Sequence, residues 1–417
     1  MSILKETTEV LGHLLEAMPS DSLFVIREDA ASFLREKGIP SKRHEDWKYT
    51  NIKRLFDNGL EIARAEVQGS SGKGVISAPT VRLTNSSVSK NFPTLEGVTF
   101  SLFSDASDWN KFIGKSSIHT KQELAALNTT LFTDALVIHV EKNAQPKQSL
   151  FIDHGISATE SELFNSRILI VLEDGAKLNC VHHFCGEAVS DSSLVNHVTE
   201  AFIGANASLA LNFLQEIGTG NLVNTTEVNV QRDGRFTTNT VQLSGKLIRN
   251  NTNVRIAGQN ADAHLNGFYM IDGNDLYDNH TLVDHLVSNC QSNEVYKGLL
   301  SGKATGVFNG KVHVHRDAQK TNAYQQNKNI LLSDTATMNS KPELEIYADD
   351  VKCSHGSTTG QLDEDAVFYL RSRGLSHKGA IALLLTAFAS DVLEQVSDES
   401  LRRVLEEKIQ SRLSGME

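Results

Sequence analysis

From Asp134 onward, apolar and polar positions alternate with a period of two. The runs are short: ALVIHV, SRILIVLE, KLNCVHHF, ASLALNFLQEI, GRFTTNTVQL, NTNVRIAG, AHLNGFYMI, GKATGVFNG and GKVHVHRD. Gly175, Gly204, Gly234, Gly258, Gly273 and Gly310 punctuate them. This pattern predicts strands separated by tight corners. No helical period interrupts the stretch from about Ser161 to about Asp334. Parallel strands need a helical crossover unless the chain winds as a solenoid, so two solutions remain. A solenoid with rungs of about 20–30 residues would make roughly six to nine coils. No strict repeat is present, and an antiparallel sandwich fits the strand pattern alone nearly as well. Strands such as FTTNTVQL and NTNVRIAG mix Thr and Asn with aliphatics, and inward Asn can stack in ladders when rungs repeat.

Both ends change period. Leu4 to Met18 places Leu4, Val10, Leu11, Leu14 and Leu15 on one helical face, and Glu28 to Lys37 forms a second helix that stops at Gly38 and Pro40. Arg43 to Phe56 carries Trp47 and Tyr49 among charges and reads as a helix cap packing its aromatics onto the next unit. Glu61 to Ser77, Gly- and Ser-rich towards its end, reads as a flexible excursion. Leu102 to Asn128 is read as a helical patch, with Asp105, Asp108 and Lys121 outward and Trp109, Phe112, Leu124 and Leu127 inward. In the tail, Asp363 to Arg373 has an acidic first turn and ends at Gly374. Ser376 caps the next helix, and Leu401 to Leu413 forms a third. The division is therefore a mostly helical domain at 1–130, a β core at 131–358 and a helical domain at 359–417.

The two regimes meet between Lys341 and Ala380. Lys341 to Lys352 reads as extended, Cys353-Ser354-His355-Gly356 as a polar turn, and the helical period starts at Asp363. A thiolate and an imidazole two residues apart suit zinc, iron or a nascent cluster, yet two ligands do not close a tetrahedral site. A second chain or exogenous sulfide would have to supply the rest. The bland alternative is a structural turn beside a subunit contact.

The remaining chemistry is thinner. In Cys180-Val-His-His-Phe-Cys185, a strand would turn Cys180 and His182 one way and His183 and Cys185 the other, so the four cannot converge on one ion. His313 and His315 share a strand face at a spacing that suits a metal and equally a solvated sheet face. His264, His280 and His285 show no ligand spacing. Asp349 and Asp350 diverge on a strand, and Asp363 with Asp365 reads as helix capping. No GxxxxGK[ST] loop, dinucleotide fingerprint or G-x-S-x-G elbow is present, so the chain is not expected to hydrolyse ATP.

At 417 residues the chain exceeds one core and predicts two or three structural units. A net charge of −11 argues against a nucleic-acid backbone as main partner. No polybasic run points to a membrane surface, and the apolar run Gly379 to Ala389 is too short to span one. The start lacks the n- and h-regions of a signal peptide, which points to the cytoplasm. There Cys180, Cys185, Cys290 and Cys353 are expected as thiols.

PELEIYADDVKCSHG followed by FYLRSRG resembles the signature of the SufB/SufD family, the scaffold subunits of an iron–sulfur cluster assembly machine. The Cys-Ser-His-Gly version resembles the SufD branch. The upstream TNAYQQNKNILLSDTATMNSKP and the N-terminal RHEDWKYTNIKRL extend the likeness to both ends. The resemblance implies a mainly β fold, a right-handed parallel β-helix flanked by helical domains, and so decides against the sandwich. It implies a non-catalytic scaffold, with no cofactor held tightly by this chain alone. The scaffold would pair with SufB through the β-helix end and dock the ATPase SufC through its C-terminal helices. Phe368, Arg371, Arg373, Leu375 and Phe388 then become docking candidates. Cys353 and His355 become ligands of iron or a nascent cluster shared with SufB. Without its partner the chain should form a homodimer to cover exposed strand edges. Two other readings stand beside this one: the sister subunit SufB, and a β-solenoid carbohydrate-active enzyme, for which no carboxylate cluster is evident.

Overall fold

A computed structural model describes residues 10–63, 75–105, 107–116, 120–186 and 189–415. Its centre is a parallel β-helix of eight coils, each contributing one strand to either of two facing ten-stranded sheets. Strands run from β5 (Leu136–Val140) to β20 (Lys352–Gly360), odd numbers in sheet A and even numbers in sheet B. Register partners such as Asn221 and Leu247, or Thr305 and Thr337, lie 26 to 32 residues apart, which is the length of a coil. The alternation selects what lies between the sheets: Ile168, Ile170, Cys180, Phe184, Leu211, Phe213, Val254 and Tyr269 belong to one continuous buried core.

The corner from an odd strand to the next even one repeats a single backbone device in every coil but the last. Asn143, Gly175, Asn206, Asp233, Asn260, Asn289 and Lys320 all take positive φ, between 56° and 72°, one per coil. Six of them, all but Asn260, donate the backbone N–H to the next coil, as Asn206 does to Arg232 O and Asp233 to Gln259 O. Gly, Asn and Asp tolerate this left-handed conformation, which explains why those residues punctuate the runs. Lys320 is the exception in kind.

Asparagine ladders are present on both faces of the sheets. Between the sheets, Asn224 and Asn279 flank Asn250, which also exchanges hydrogen bonds with Gln215 across the core. On the outer face of sheet B, Asn266 donates to Asn239, Asn239 to Asn212, and Asn212 to Asn179, at 2.7–3.0 Å. The expectation placed ladders inward only. The outer one is possible because that face is also covered.

Helices supply the covers. The N-terminal α1 (Phe24–Lys37) and α2 (Lys53–Asp57), the 3₁₀ turn Glu45–Trp47 between them and α3 (Glu123–Leu131) pack Leu34, Phe56, Trp47 and Leu127 against Leu163, Leu194, Val223 and Leu247 of sheet A. The tail helices α4 (Glu364–Ser372), α5 (His377–Leu393) and α6 (Glu399–Gly415) follow β20. From α5 and α6, Leu385, Val392, Leu401, Leu405 and Ile409 pack against Leu214, Val241, Phe268 and Leu299 of sheet B. Asp363 caps α4 through the backbone N–H groups of Asp365 and Ala366, Ser376 caps α5 through Gly379, and Gly374 takes φ 97°.

Three boundaries differ from the sequence reading. The patch Leu102–Asn128 is two short 3₁₀ turns and then α3, because its polar residues interrupt the helical period. Residues before 130 are not wholly helical: β2 (Thr80–Thr84) pairs with β6 (Leu150–Gly155), and β4 (Val98–Leu102) with β5. Cys353-Ser354-His355-Gly356 lies inside β20 and is no turn. Its polarity reflects a strand on which, among the described residues, no further coil is stacked. Of the Leu4–Met18 helix, residues 10–16 are helical and the start lies outside the described residues. So does most of the Glu61–Ser77 excursion.

Candidate functional site

The two ends of the β-helix are unlike. At the N-terminal end, β4 and β3 (Ser87–Val88) close the sheets with short antiparallel pairs. At the C-terminal end, β19 (Thr337–Ile346) and β20 are edge strands of full length. None of their residues is buried, whereas β14 (Asp262–Ile271) is almost wholly so. Ile346 and Tyr347 are exposed beside them. A long open edge leaves a row of backbone donors and acceptors without partners.

Cys353 and His355 sit on this end. Register pairs them with Ala323 and Gln325 of β18 (Asn322–Leu331), so both share the inner face of the last coil. Cys353 is half-buried against Val312, Val314 and Ala348, and His355 is exposed. Burial pushes the Cys353 thiol above its ordinary value, against an opposing pull from the Ala323 backbone. The thiol therefore stays protonated at neutral pH until a cation or a metal draws the proton off.

Behind His355 runs a polar column. Glu294 of β16 (Gln291–Leu300) aligns with Gln325, and Gln325 with His355. Glu294 is fully buried and accepts from Thr281 Oγ1 at 2.6 Å. Burial raises its carboxyl to about 7, only partly opposed by the hydrogen bonds from Thr281 and Gln325. Beside this column, Ser357 Oγ meets Ser340 Oγ at 2.8 Å, Ser340 bonds Asn327 Oδ1, and Asn327 reaches Tyr269 OH. Sequence periodicity marks these positions as inward but does not show that the core turns polar towards the open end.

Of the docking candidates, Phe368, Arg371, Arg373 and Leu375 are exposed on and after α4, with Phe368 72% exposed and Tyr369 beside it 57%. Phe388 stands apart: it is half-buried and turned onto the β-helix, with Lys297 Nζ 4.6 Å above its ring and bonded to its carbonyl at 2.9 Å.

The segment around Trp47 does pack onto the next unit. Its buried ring lies 3.9 Å from the Arg249 guanidinium, while Tyr49 stays exposed. Arg249 donates to Asp278 at 2.8 Å and to Asp46 O, and Thr50 donates to the same Asp278 oxygen. Burial alone would raise the Asp278 carboxyl; His280 and Arg249 hold it down to about 2. This weld forms one wall of a groove of about 600 Å³ on sheet A, lined also by His280, Lys311 and Glu345.

Cys180 and His182 do face the core, and His183 and Cys185 face outward. His182 stacks with buried His154 at 3.2 Å between ring nitrogens, and burial holds both well below the ordinary imidazole range. His183 and Cys185 come near Asp153 on the neighbouring strand, and His313 and His315 near Asp284. His264 bonds Asp262, His280 bonds Asp278, and His285 bonds Ser292.

A parallel β-helix clad in helices on both faces, with a Cys-x-His pair on its last coil, defines a helix-flanked β-solenoid. The family profile of the SUF system FeS cluster assembly SufBD core domain matches residues 154–388, and that of the SufBD protein N-terminal region matches 9–74. The chain belongs to the SufBD family. It is 28% identical over 97% of its length to the iron-sulfur cluster assembly protein SufD of Escherichia coli, covering 96% of that protein. It is 29% identical over 99% of its length to an iron-sulfur cluster assembly SufBD family protein of Synechocystis, covering 95% of it. SufD of Bacillus subtilis matches at 24% over 73% of this chain and 70% of its own. Among the described residues no helix is long and apolar enough to cross a membrane.

Proposed function

We propose that this chain is a non-catalytic scaffold subunit of the SufD kind for iron–sulfur cluster assembly. It pairs with a SufB-like scaffold through β19 and β20 and docks a SufC-like ATPase on the exposed surface of α4 and the α4–α5 turn. Cys353 and His355 contribute to an iron or cluster site completed by the partner. One observation carries this reading: the last coil is uncovered, and the thiol and imidazole sit on it, accessible and two residues apart. The relatives' names support the assembly role, and the exposed Phe368, Tyr369 and Leu375 supply an apolar docking patch.

Co-expression with the neighbouring scaffold and ATPase subunits, followed by iron and sulfide quantification, tests the site. His355→Ala is expected to lower both several-fold with the complex still assembled, and Cys353→Ser to lower them less, since its sulfur is half-shielded. Unchanged iron and sulfide in both variants would remove the two residues from the site.

The isolated chain is expected to be a homodimer, because its full-length edges demand a cover. Light scattering at micromolar protein checks this, and a monomer would contradict it.

A further inference from the structure

We propose that Asp284, His313 and His315 form a site for one divalent first-row transition-metal ion on the outer face of sheet A, separate from Cys353 and His355. His313 and His315 stand two apart on β17 (Thr305–Val314) and the residue following it, so they share a face. Asp284 lies on the neighbouring β15 (Leu276–His285), directly across from His313. One carboxylate oxygen, Asp284 Oδ1, receives both imidazoles: His313 Nδ1 at 3.0 Å and His315 Nε2 at 2.7 Å. The three ligand atoms lie within 4.8 Å of one another, and the two rings sit 4.2 Å apart.

The distances favour a particular geometry. Two metal bonds of about 2.0–2.1 Å at a right angle set their ligand atoms about 2.9 Å apart, against about 3.3 Å for a tetrahedron. The observed 2.7 and 3.0 Å bracket the octahedral edge. An ion would take the place of the two N–H protons between the rings and Asp284, and the third edge, between His313 Nδ1 and His315 Nε2, is no longer than 4.8 Å. Two histidines and one carboxylate on one face leave further positions open to water or a second molecule. The backbone beneath is fixed: His315 N bonds His285 O at 3.0 Å, and both strands are paired along their length. All three side chains are partly exposed, so an ion can enter from solvent.

The surroundings carry both signs: Arg255 lies across from Asp284 on the strand before it, and Lys311 lies two residues before His313. Glu345 of β19 lies across from His313, currently held by Lys311 at 2.7 Å, and offers a second carboxylate beside the ion. Tyr347 presents its ring edge-on to His313 at 5.6 Å. The other trio, Asp153, His183 and Cys185, differs in that its imidazole is already held by a further carboxylate. There His183 is committed to Glu216, and the Lys408 ammonium from α6 lies 2.9 Å from the same carboxylate, where it repels a cation.

Titration of the full, chelator-stripped chain with cobalt(II), by calorimetry and visible absorption, tests the site. One equivalent with the weak absorption of six-coordinate cobalt is expected. Affinity should fall at least about tenfold in His313→Ala, His315→Ala and Asp284→Asn, since loss even of an outer-shell partner costs that much. Thermal melts identify any variant that fails to fold. The doubly substituted Cys353→Ser/His355→Ala chain should keep the equivalent, as should His183→Ala. Displacement of cobalt by zinc, or by ferrous ion without oxygen, supports the site and tells which ion it prefers. Retention of the equivalent in folded His313→Ala and His315→Ala, or its loss in the Cys353/His355 or His183 variants instead, would overturn the assignment.

Discussion

Replacing Arg167 by alanine should lower stability by about 3–5 kcal/mol, the largest effect expected of any single substitution here. Arg167 of β7 (Glu162–Leu172) and Glu200 of β9 (Leu194–Ile203) form an ion pair, each no more than 1% exposed. The same guanidinium donates to Asn128 Oδ1 and Thr129 Oγ1 of α3, both at 3.0 Å, and lies over Phe132. Arg27 of α1 lies over that ring too and bonds the carbonyls of Thr129 and Thr130. Two buried arginines thus bind the N-terminal helices to sheet A. Losing Arg167 leaves a buried carboxylate with, among the described residues, Gly114 N and Ser116 Oγ as donors, and an uncompensated buried charge costs more than the pair gains. Denaturant unfolding checks the value. Adding Glu200→Leu should restore a large part of the loss, because the bare charge goes with it. No recovery in the double variant would mean that helix docking, not the stranded carboxylate, sets the cost.

The second large effect depends on pH. Glu294 has its carboxyl raised from the ordinary 4.5 to about 7 by burial. The native chain holds this proton over a range in which the unfolded chain has released it, so stability falls as pH rises from about 4.5 to 7 and is level above. The span amounts to about 2–4 kcal/mol. Glu294→Gln keeps the shape and abolishes the titration. The variant should therefore gain on the wild type by that amount between pH 5 and pH 8, other groups cancelling in the difference. Melts at the two pH values decide it, and a constant difference would show that Glu294 titrates normally in the fold.

The period-two runs made the β-helix legible, and the Asn, Asp and Gly punctuation marked its corners. What alternation could not tell was which side faced inward. Helices cover both outer faces, so Asn212, Asn239 and Asn266 are buried as Asn250 is, though on the opposite face. The Cys353–Gly356 stretch looked like a turn because the usual sign of a strand is burial by its neighbours, and the last coil has none on one side. The histidine trios escaped for a related reason. Asp153 and Asp284 stand about one coil before their partners, so motif searches over a few residues miss them. Scanning for ligand types at the coil interval would have found both.

The difference between the two ends of the β-helix limits growth. A solenoid with a long open edge at either end could stack head-to-tail without limit and form fibres. Here β3 and β4 reverse direction and stop after two and five residues, which removes the template at one terminus. Any end-to-end association is consequently used up by a single contact, and particles in solution should stay finite at every concentration.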